Sequence, residues 1–283
     1  MMQPGCKTKL KDMTAEERKQ YDRNRKRLQR QNAKKITAEK SHAKKVVGLK
    51  NNSGENICFR NVVIQLLYSL PSFHLELTGT SLLSICVLKL KELFTEINQA
   101  SGAVRPTPYF HAMAIPRYIP RRQYDSHEFL TFVLSQVYPD IDNGPYIFTV
   151  MLASCLSTCV CGCTPSQVRV STTFLTLNVH AINDAQVVSK LLREYFAPTL
   201  VQYTCETCKR QDGYVKTSVL ENCPDMLLLQ LSISDGHGQK IKPSLSIYQE
   251  LTDFGLSLEL YGIIYHIGNT IQSGHYTCSV KVV

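Results

Sequence analysis

The stretch that decides the fold has one apolar stripe and a cysteine at its head: Cys58-Phe59-Arg60-Asn61-Val62-Val63-Ile64-Gln65-Leu66-Leu67-Tyr68-Ser69-Leu70. Its apolar residues recur at i, i+3, i+4, i+7, i+8 and i+11, which predicts a helix with one buried side. Cys58 lies in the first turn, where unpaired backbone N–H groups and the helix dipole favour a thiolate. Far along the chain, His275 follows a glycine at the start of an alternating strand. The two residues are a candidate nucleophile and general base.

The remaining pattern predicts helices first and strands afterwards. Further helices are predicted at Ser81–Ile97, after an Asp125 N-cap, and around Val187–Tyr195, with a proline-rich loop at 106–120. Pro71 is expected to end the first helix. Strands are predicted at Val168–Val179, Val215–Leu220, Met226–Ile233, Tyr261–Ile267 and His275–Val283. This order indicates an α+β fold rather than alternating βαβ units.

Positive charge is concentrated at the N-terminus. Residues 1–45 contain 15 Lys/Arg and 5 Asp/Glu, whereas the whole chain has a formal charge of +9. We predict that this tail is disordered or marginally helical. The run Arg23-Asn24-Arg25-Lys26-Arg27-Leu28-Gln29-Arg30 fits a nuclear localisation signal, a nucleic-acid patch or a solvated extension, so nucleic acid is a candidate partner of residues 7–45.

The cysteines point to metal rather than disulfides. Their number, 11, is odd, and the N-terminus has no secretory signal, so we expect an intracellular protein of the cytoplasm, the nucleus or both. The sequence contains no apolar run of about 18 residues, so no membrane span is predicted. The pair Cys205 and Cys208 suits half of a structural zinc site. Four of the following five residues are the predicted zinc ligands: Cys159, Cys161, Cys163, Cys205 and Cys208. The alternative is that the cysteines are reduced surface thiols without a metal.

Three motifs carry a family resemblance. The cysteine ends the segment Gly48-Leu49-Lys50-Asn51-Asn52-Ser53-Gly54-Glu55-Asn56-Ile57-Cys58, and the histidine lies in His266–Thr277. Between them is Gln123-Tyr124-Asp125-Ser126-His127-Glu128-Phe129-Leu130. In this order they resemble the cysteine box, the Gln-Gln-Asp-Ala-x-Glu-Phe-Leu motif and the histidine box of the ubiquitin-specific proteases, over residues 48–283.

The resemblance implies a thiol-dependent deubiquitinating hydrolase. It would cleave the peptide or isopeptide bond after the C-terminal Gly of ubiquitin through a Cys–His acyl-enzyme mechanism. Cys58 would be the nucleophile and His275 the general base and acid, while Asn51 or Asn52 would donate to the oxyanion. Asp125 would bind the substrate tail. Two extra residues separate Asn51 from Cys58 relative to the family's box, so this role requires the loop to bulge.

The resemblance also implies a papain-like fold for residues 46–283. It would comprise a helical thumb at 46–144, β fingers at 145–224 and a β palm at 225–283. In the family, a third catalytic residue lies on the strand after the histidine strand, whereas this sequence stops at Val283. We therefore expect a truncated member with its last strands missing and impaired activity. The alternative is a weak or inactive ubiquitin-binding pseudoenzyme whose basic tail targets it or binds nucleic acid.

Overall fold

The computed structural model describes residues 47–80, 84–113, 115, 118–138, 147–159, 161–163, 167–179, 186–235, 237, 239–252 and 256–281. The basic tail 1–45, with the run at 23–30, lies outside the described residues. Its predicted disorder and its role in targeting or nucleic-acid binding therefore stay predictions. Residues Val47–Lys281 belong to one compact unit.

Five helices precede the first strand in the described part of the chain: α1 (Cys58–Ser69), α2 (Pro71–Gly79), α3 (Ile85–Gln99), α4 (Thr107–Ala112) and α5 (Ser126–Val137). The helix predicted from Ser81 begins instead at Ile85, because Ser84 is its N-cap and its Oγ accepts from the Val87 N–H at 3.2 Å. Pro71 begins α2 as well as ending α1. Proline is tolerated there because an N–H in the first helical turn has no acceptor within the helix.

The proline-rich stretch at 106–120 was predicted to be a loop, and α4 shows that this was wrong for part of it. Pro106 is the N-cap of α4, and Pro108 lies in the first turn. Prolines at these positions remove no intrahelical hydrogen bond, so they favour the start of a helix rather than excluding it. The predicted Asp125 N-cap of α5 is confirmed, because its Oδ1 accepts from the N–H groups of His127 and Glu128.

The second half contains mostly strands. They are β1 (Val150–Leu156), β2 (Val168–Thr172), β3 (Phe174–Asn178), β4 (Gln186–Val187), β5 (Thr199–Thr204), β6 (Gln211–Asn222), β7 (Leu228–Ser232), β8 (Leu245–Ser246), β9 (Glu250–Leu251), β10 (Leu258–Glu259), β11 (Gly262–Ile267) and β12 (His275–Val280). The helix α6 (Val188–Tyr195) lies among them, close to its predicted bounds. The α+β class is confirmed, although β1 and β5 were not predicted and the segment predicted at 168–179 divides into β2 and β3 at Thr173.

The strands form several small sheets. The largest is antiparallel, in the order β2-β1-β6-β5, and it bears the cysteine-rich turns at one end. Strands β3 and β7 pair in parallel and pack with α6 in a second apolar cluster. Strands β11 and β12 form an antiparallel hairpin in which Ile267 pairs with His275.

The hairpin packs directly on α1, which brings the histidine strand to the cysteine helix. Tyr276 and Cys278 face the core beside α1, and Gly262 lies so close to Leu66 that a Cβ there would be 2.5 Å from the Leu66 Cδ1. Because α1 also packs against α2 and α5, it is buried on more than its predicted stripe, and Ile64 is fully buried. The helix is a central element of the core.

Candidate active site

Cys58 is the first residue of α1 and is buried, with 6% of its surface exposed. The N-cap, Ile57, provides no side-chain hydrogen bond to the first turn. Among the described residues, none accepts a hydrogen bond from the Cys58 N–H. The thiol therefore lies at a helix N-terminus with a free backbone donor beside it, which is an arrangement that can stabilise a developing oxyanion.

The loop before Cys58 is held by the polar residues of its own motif. The Asn61 Nδ2 donates to the Lys50 carbonyl at 3.1 Å, and the Gln65 Nε2 donates to the Val47 carbonyl at 2.8 Å. Both side chains project from α1, so the helix that carries the cysteine also fixes the start of its loop. The Lys50 N–H in turn donates to the Val104 carbonyl at 2.8 Å, within a bridge between Leu49 and Val104.

Glu55 fixes the tip of this loop. Its Oε2 accepts from the Asn52 N–H at 2.9 Å, and its Oε1 accepts from Arg105 at 3.2 Å and from the Thr107 Oγ1 at 3.0 Å. Burial acts to raise the pKa of Glu55, but these hydrogen bonds outweigh it and hold the pKa below its ordinary value. Gly54 has a φ of 77°, which suits the turn that accommodates the two extra residues.

The three asparagines of this loop have different surroundings. The Asn51 Oδ1 accepts from the Ile57 N–H at 3.4 Å, so this side chain contacts the residue directly before Cys58. Asn52 is exposed at the loop tip, where its backbone binds Glu55. The Nδ2 of Asn56 donates to the Arg121 carbonyl at 2.8 Å. The predicted role of Asn51 or Asn52 at the oxyanion stays a prediction.

Asp125 lies at the start of α5 on a cleft of about 250 Å³. The cleft is formed between the segment before α5 and the β11–β12 hairpin, and it is lined by Gln123, Tyr124, Asp125, His266, Ile271, Gln272 and Tyr276. One Asp125 oxygen is engaged in capping α5, and the carboxylate also acts on the hairpin, because its charge favours a higher pKa for both His266 and Tyr276. The substrate role predicted for Asp125 stays a prediction.

His275 begins β12 and is exposed. Its neighbour Tyr276 is turned inward, where burial, and secondarily the charges of Asp125 and Cys58, raise the pKa of its hydroxyl. In the part of the chain that the structure describes, no hydrogen bond joins the His275 ring to the Cys58 thiol. The strand thus brings Tyr276 toward the cysteine, while the His275 side chain lies on the outer face at the strand's end.

Three residues of this region were given no role from the sequence: His266, Tyr276 and Gln123. The ring centroids of His266 and Tyr276 are 4.6 Å apart, and burial, assisted by Lys240, holds the pKa of His266 below its ordinary value. Gln123 makes two hydrogen bonds to Gly274, each 3.0 Å long. The period-two alternation of β12 was a usable signal for Tyr276, but no sequence pattern pairs Gln123 with a residue 151 positions away.

Four cysteines meet at the end of the large sheet: Cys159, Cys161, Cys205 and Cys208, with all their Sγ atoms within 4.8 Å of one another. The Sγ atoms of Cys159 and Cys208 are 3.7 Å apart, and those of Cys161 and Cys205 are 3.8 Å apart. A tetrahedral ion with metal–sulfur bonds of about 2.3 Å requires sulfurs roughly 3.8 Å apart. The cluster can therefore hold a metal ion, and the predicted fifth candidate, Cys163, is not part of it.

Two backbone turns bring the four cysteines of the cluster together. On one side the Gly162 N–H donates to the Cys159 carbonyl at 2.9 Å, with a φ of 85° at Gly162. On the other side the Lys209 N–H donates to the Cys205 carbonyl at 2.9 Å, with a φ of 58° at Lys209. A hydrogen bond from the Cys161 backbone is the main reason that the pKa of Cys159 falls to about 6, which favours the thiolate that metals bind.

The family model described as "Ubiquitin carboxyl-terminal hydrolase" matches residues 47–282. The chain belongs to this family. Ubiquitin carboxyl-terminal hydrolase 36 of Drosophila mojavensis is 26% identical over 272 residues, which cover 78% of this chain and 22% of that protein. Ubiquitin carboxyl-terminal hydrolase 26 of Oryza sativa subsp. japonica is 24% identical over 261 residues, 79% of this chain and 23% of that protein.

Solved structures of the family share the fold. The SAGA DUB module bound to monoubiquitin matches with a TM-score of 0.68 and 20% identity, covering 85% of this chain and 62% of that chain. The Ubp8/Sgf11/Sus1/Sgf73 DUB module bound to ubiquitin aldehyde matches with a TM-score of 0.67 and 19% identity, over 85% and 63% of the two chains. These matches confirm the predicted papain-like α+β fold.

The chain spans about a fifth of the length of the curated relatives it matches. The bounds predicted for the thumb, the fingers and the palm stay predictions. Within the residues that the structure describes, no helix is both long enough and apolar enough to cross a membrane.

Proposed function

We propose that this chain is a cysteine-type deubiquitinase with Cys58 as nucleophile. The observation that carries the proposal is the position of Cys58 at the N-terminus of α1, in a chain of the ubiquitin carboxyl-terminal hydrolase family. The Cys58 thiolate attacks the carbonyl of the C-terminal Gly of ubiquitin and forms a C–S bond. The C–N bond then breaks, and the amine leaves with a proton from His275. Water hydrolyses the thioester, with His275 as the base.

The oxyanion of each tetrahedral intermediate needs donors that are in place beforehand. The Cys58 N–H is one, because no described residue accepts its hydrogen bond. We assign the second to Asn51 rather than Asn52, because the Oδ1 of Asn51 is bound to the Ile57 N–H and so orients the NH₂ group. Asp125 would accept hydrogen bonds from the extended ubiquitin tail in the cleft that it lines.

The exposed position of His275 supports one further statement about the cycle. Catalytic hydrogen bonds are often long in free enzymes and shorten when substrate binds. We propose that the His275 ring turns toward the Cys58 thiol for part of the time in the free chain, and that ubiquitin binding holds the two groups in contact. The solved relatives are bound to monoubiquitin and to ubiquitin aldehyde, and ubiquitin is the partner proposed for this chain.

A second candidate function is a ubiquitin-binding module with weak or no catalysis. The observation in its favour is that no hydrogen bond joins His275 to Cys58 in the described residues. Both candidates predict ubiquitin binding, but only the enzyme predicts a reactive Cys58.

A ubiquitin-propargylamide probe separates the two candidates. The enzyme forms a covalent adduct, which peptide mass spectrometry places on Cys58, and Cys58→Ser abolishes the adduct while retaining ubiquitin binding. Cys86→Ser is the matched control, because Cys86 is also a buried thiol but its pKa is raised to about 11 by burial. Ubiquitin binding without any Cys58 adduct would reject the enzyme in favour of the binding module.

We propose zinc as the metal of the four-cysteine cluster, because four thiolates in a tetrahedron are a typical structural zinc site. The ion would join the two turns at the end of the β2-β1-β6-β5 sheet. Among the described residues, the apolar cluster around these turns has three buried members, two of them Cys159 and Cys205. Its role would be structural, since the proposed chemistry takes place at Cys58.

A further inference from the structure

A short segment between α4 and α5 connects the two halves of the proposed active site. On one side, the Asn56 Nδ2 donates to the Arg121 carbonyl at 2.8 Å. On the other, Gln123 binds both backbone groups of Gly274: its Oε1 accepts from the Gly274 N–H and its Nε2 donates to the Gly274 carbonyl, each at 3.0 Å. Asn56 is two residues before Cys58, and Gly274 is immediately before His275.

The Gln123 carboxamide replaces a neighbouring strand at this point. A residue that donates its N–H and accepts at its carbonyl from the same partner is paired as in an antiparallel ladder. Since β12 begins at His275, Gln123 extends the pairing of β12 by one residue on its outer edge. Backbone motion of the residue before the histidine is therefore restricted from a direction that β11 does not cover.

Gly274 leaves no room for this contact to shift. A Cβ at this position would lie 2.3 Å from the Ile267 carbonyl oxygen and 2.5 Å from the His266 Nε2. The backbone of Gly274 is thus enclosed by β11 on one side and by Gln123 on the other. Only glycine fits between them.

At its other end the segment contacts the cysteine loop through two residues with left-handed backbone conformations, which are hydrogen-bonded to each other. Asn56 has a φ of 52° and Arg121 a φ of 65°. Such a conformation is uncommon outside glycine and persists only where the surroundings impose it. The Asn56–Arg121 hydrogen bond is a contact of this kind, and it joins the cysteine loop to the segment that carries Gln123.

We propose that Arg121–Gln123 is a positioning bridge that sets the location of His275 relative to Cys58. This inference rests on the proposed function, because it concerns the same Cys–His pair. Asn56, Arg121 and Gln123 are positioning residues: they act through the backbone of the loop and of the strand. In a triad, a side chain restricts the histidine by holding its ring; the bridge restricts His275 through its backbone, at Gly274.

The first test needs no ubiquitin. Iodoacetamide reacts with thiolate, so the pH midpoint of Cys58 alkylation, followed on the Cys58 peptide by mass spectrometry, reports how well the imidazole supports the thiolate. Gln123→Leu removes both hydrogen bonds at nearly constant volume and should raise the midpoint by half a pH unit or more. The nearby titratable groups, Asp125, His266, Tyr276 and Lys240, are unchanged in this variant. Gln99→Leu, at an exposed glutamine ending α3, is the matched control and should show the wild-type midpoint.

The second test uses ubiquitin-aminocoumarin. Gln123→Leu should lower kcat at least tenfold with KM within twofold of the wild type, because Gln123 lines the cleft but both polar atoms of its carboxamide are engaged by Gly274. Asn56→Gly tests the other end, since glycine keeps the left-handed conformation while losing the hydrogen bond to Arg121. If the two ends act as one bridge, the double variant should be no slower than Gln123→Leu alone.

The outcomes are separable. A shifted alkylation midpoint in Gln123→Leu together with non-additive loss of kcat supports the bridge. A shifted midpoint in a chain that does not cleave ubiquitin supports the bridge and rejects the proposed function. An unchanged midpoint in Gln123→Leu, a wild-type midpoint equal to that of a free thiol, or fully additive effects of Gln123→Leu and Asn56→Gly would each overturn the bridge.

Discussion

Replacing Gly274 by alanine should disrupt the junction between the hairpin and the segment before α5. The new Cβ would lie 2.3 Å from the Ile267 carbonyl oxygen and 2.5 Å from the His266 Nε2, whereas real Cβ contacts below 3.0 Å are essentially never seen. The backbone of β11 and β12 must therefore separate by roughly 0.7 Å at this end, which costs about 1–3 kcal/mol of unfolding free energy, as other overpacked sites do.

The same shift should be costly for catalysis, because Gly274 precedes His275. A misplacement of about 1 Å in a catalytic group can lower the rate by about 10²-fold. We expect Gly274→Ala to lose about two orders of magnitude in kcat toward ubiquitin-aminocoumarin. Its melting temperature should fall by about 2–4 °C for each kcal/mol lost, as in domains of 150–250 residues.

Gly79→Ala is the control for this experiment. Gly79 ends α2, and nothing lies within 4 Å of the Cβ position. Alanine is favoured over glycine in a helix by up to about 1 kcal/mol, so this variant should be as stable as the wild type or slightly more stable, with unchanged kcat. If Gly274→Ala matched Gly79→Ala in urea unfolding and in kcat, the argument from close packing at Gly274 would be refuted.

Three other predictions test separate parts of the molecule. His275→Ala should lower kcat toward ubiquitin-aminocoumarin about as much as Cys58→Ser, since the members of such a unit are strongly non-additive; a double variant far slower than either single one would contradict this. Purified chain should contain about one zinc by metal analysis, with Cys205→Ser losing it and Cys163→Ser retaining it; equal zinc in both variants would reject the cluster. Glu55→Gln should be less stable than the wild type at pH 7, and the difference in urea unfolding should vanish as the pH falls through the folded pKa of Glu55, because a lowered pKa stabilises the fold only above it.

Local patterns were sufficient for several elements. The apolar period of α1, the Asp125 cap of α5 and the Cys-x-x-Cys pair each depend on residues within one or two turns of one another. The helix α4 does not follow from such patterns, because prolines usually mark loops, although a proline in the first turn is compatible with a helix. Similarly, the choice of Cys161 over Cys163 depends on a turn with a left-handed Gly162, which spacing alone does not reveal.

Arg60 shows what a helical period cannot predict. It is 6% exposed, and its guanidinium carbon lies 5.1–5.8 Å from the centroids of four aromatic rings: Phe59, Phe110, Tyr118 and Phe129. Burial is the main reason that its pKa is lowered. A desolvated cation over aromatic faces gains about 2 kcal/mol or more per favourable contact, which offsets part of the cost of its burial. Three of these rings, those of Phe110, Tyr118 and Phe129, come from other segments of the chain, so the cage exists only in the tertiary structure.

The position of His275 likewise depends on tertiary packing, that of β12 against the core. This packing restricts how the His275 side chain can approach Cys58. Tyr276 and Cys278 are packed against the core, so a slip of β12 by one residue would expose them and bury Thr277 and Ser279 instead. The strand is therefore fixed in register, and His275 can reach the Cys58 thiol only by rotation of its side chain about a stationary backbone. Such a rotation brings the His275 ring to the Cys58 thiol only if the backbone of His275 is held in place. The two hydrogen bonds of Gln123 to the Gly274 backbone hold it there, directly before His275.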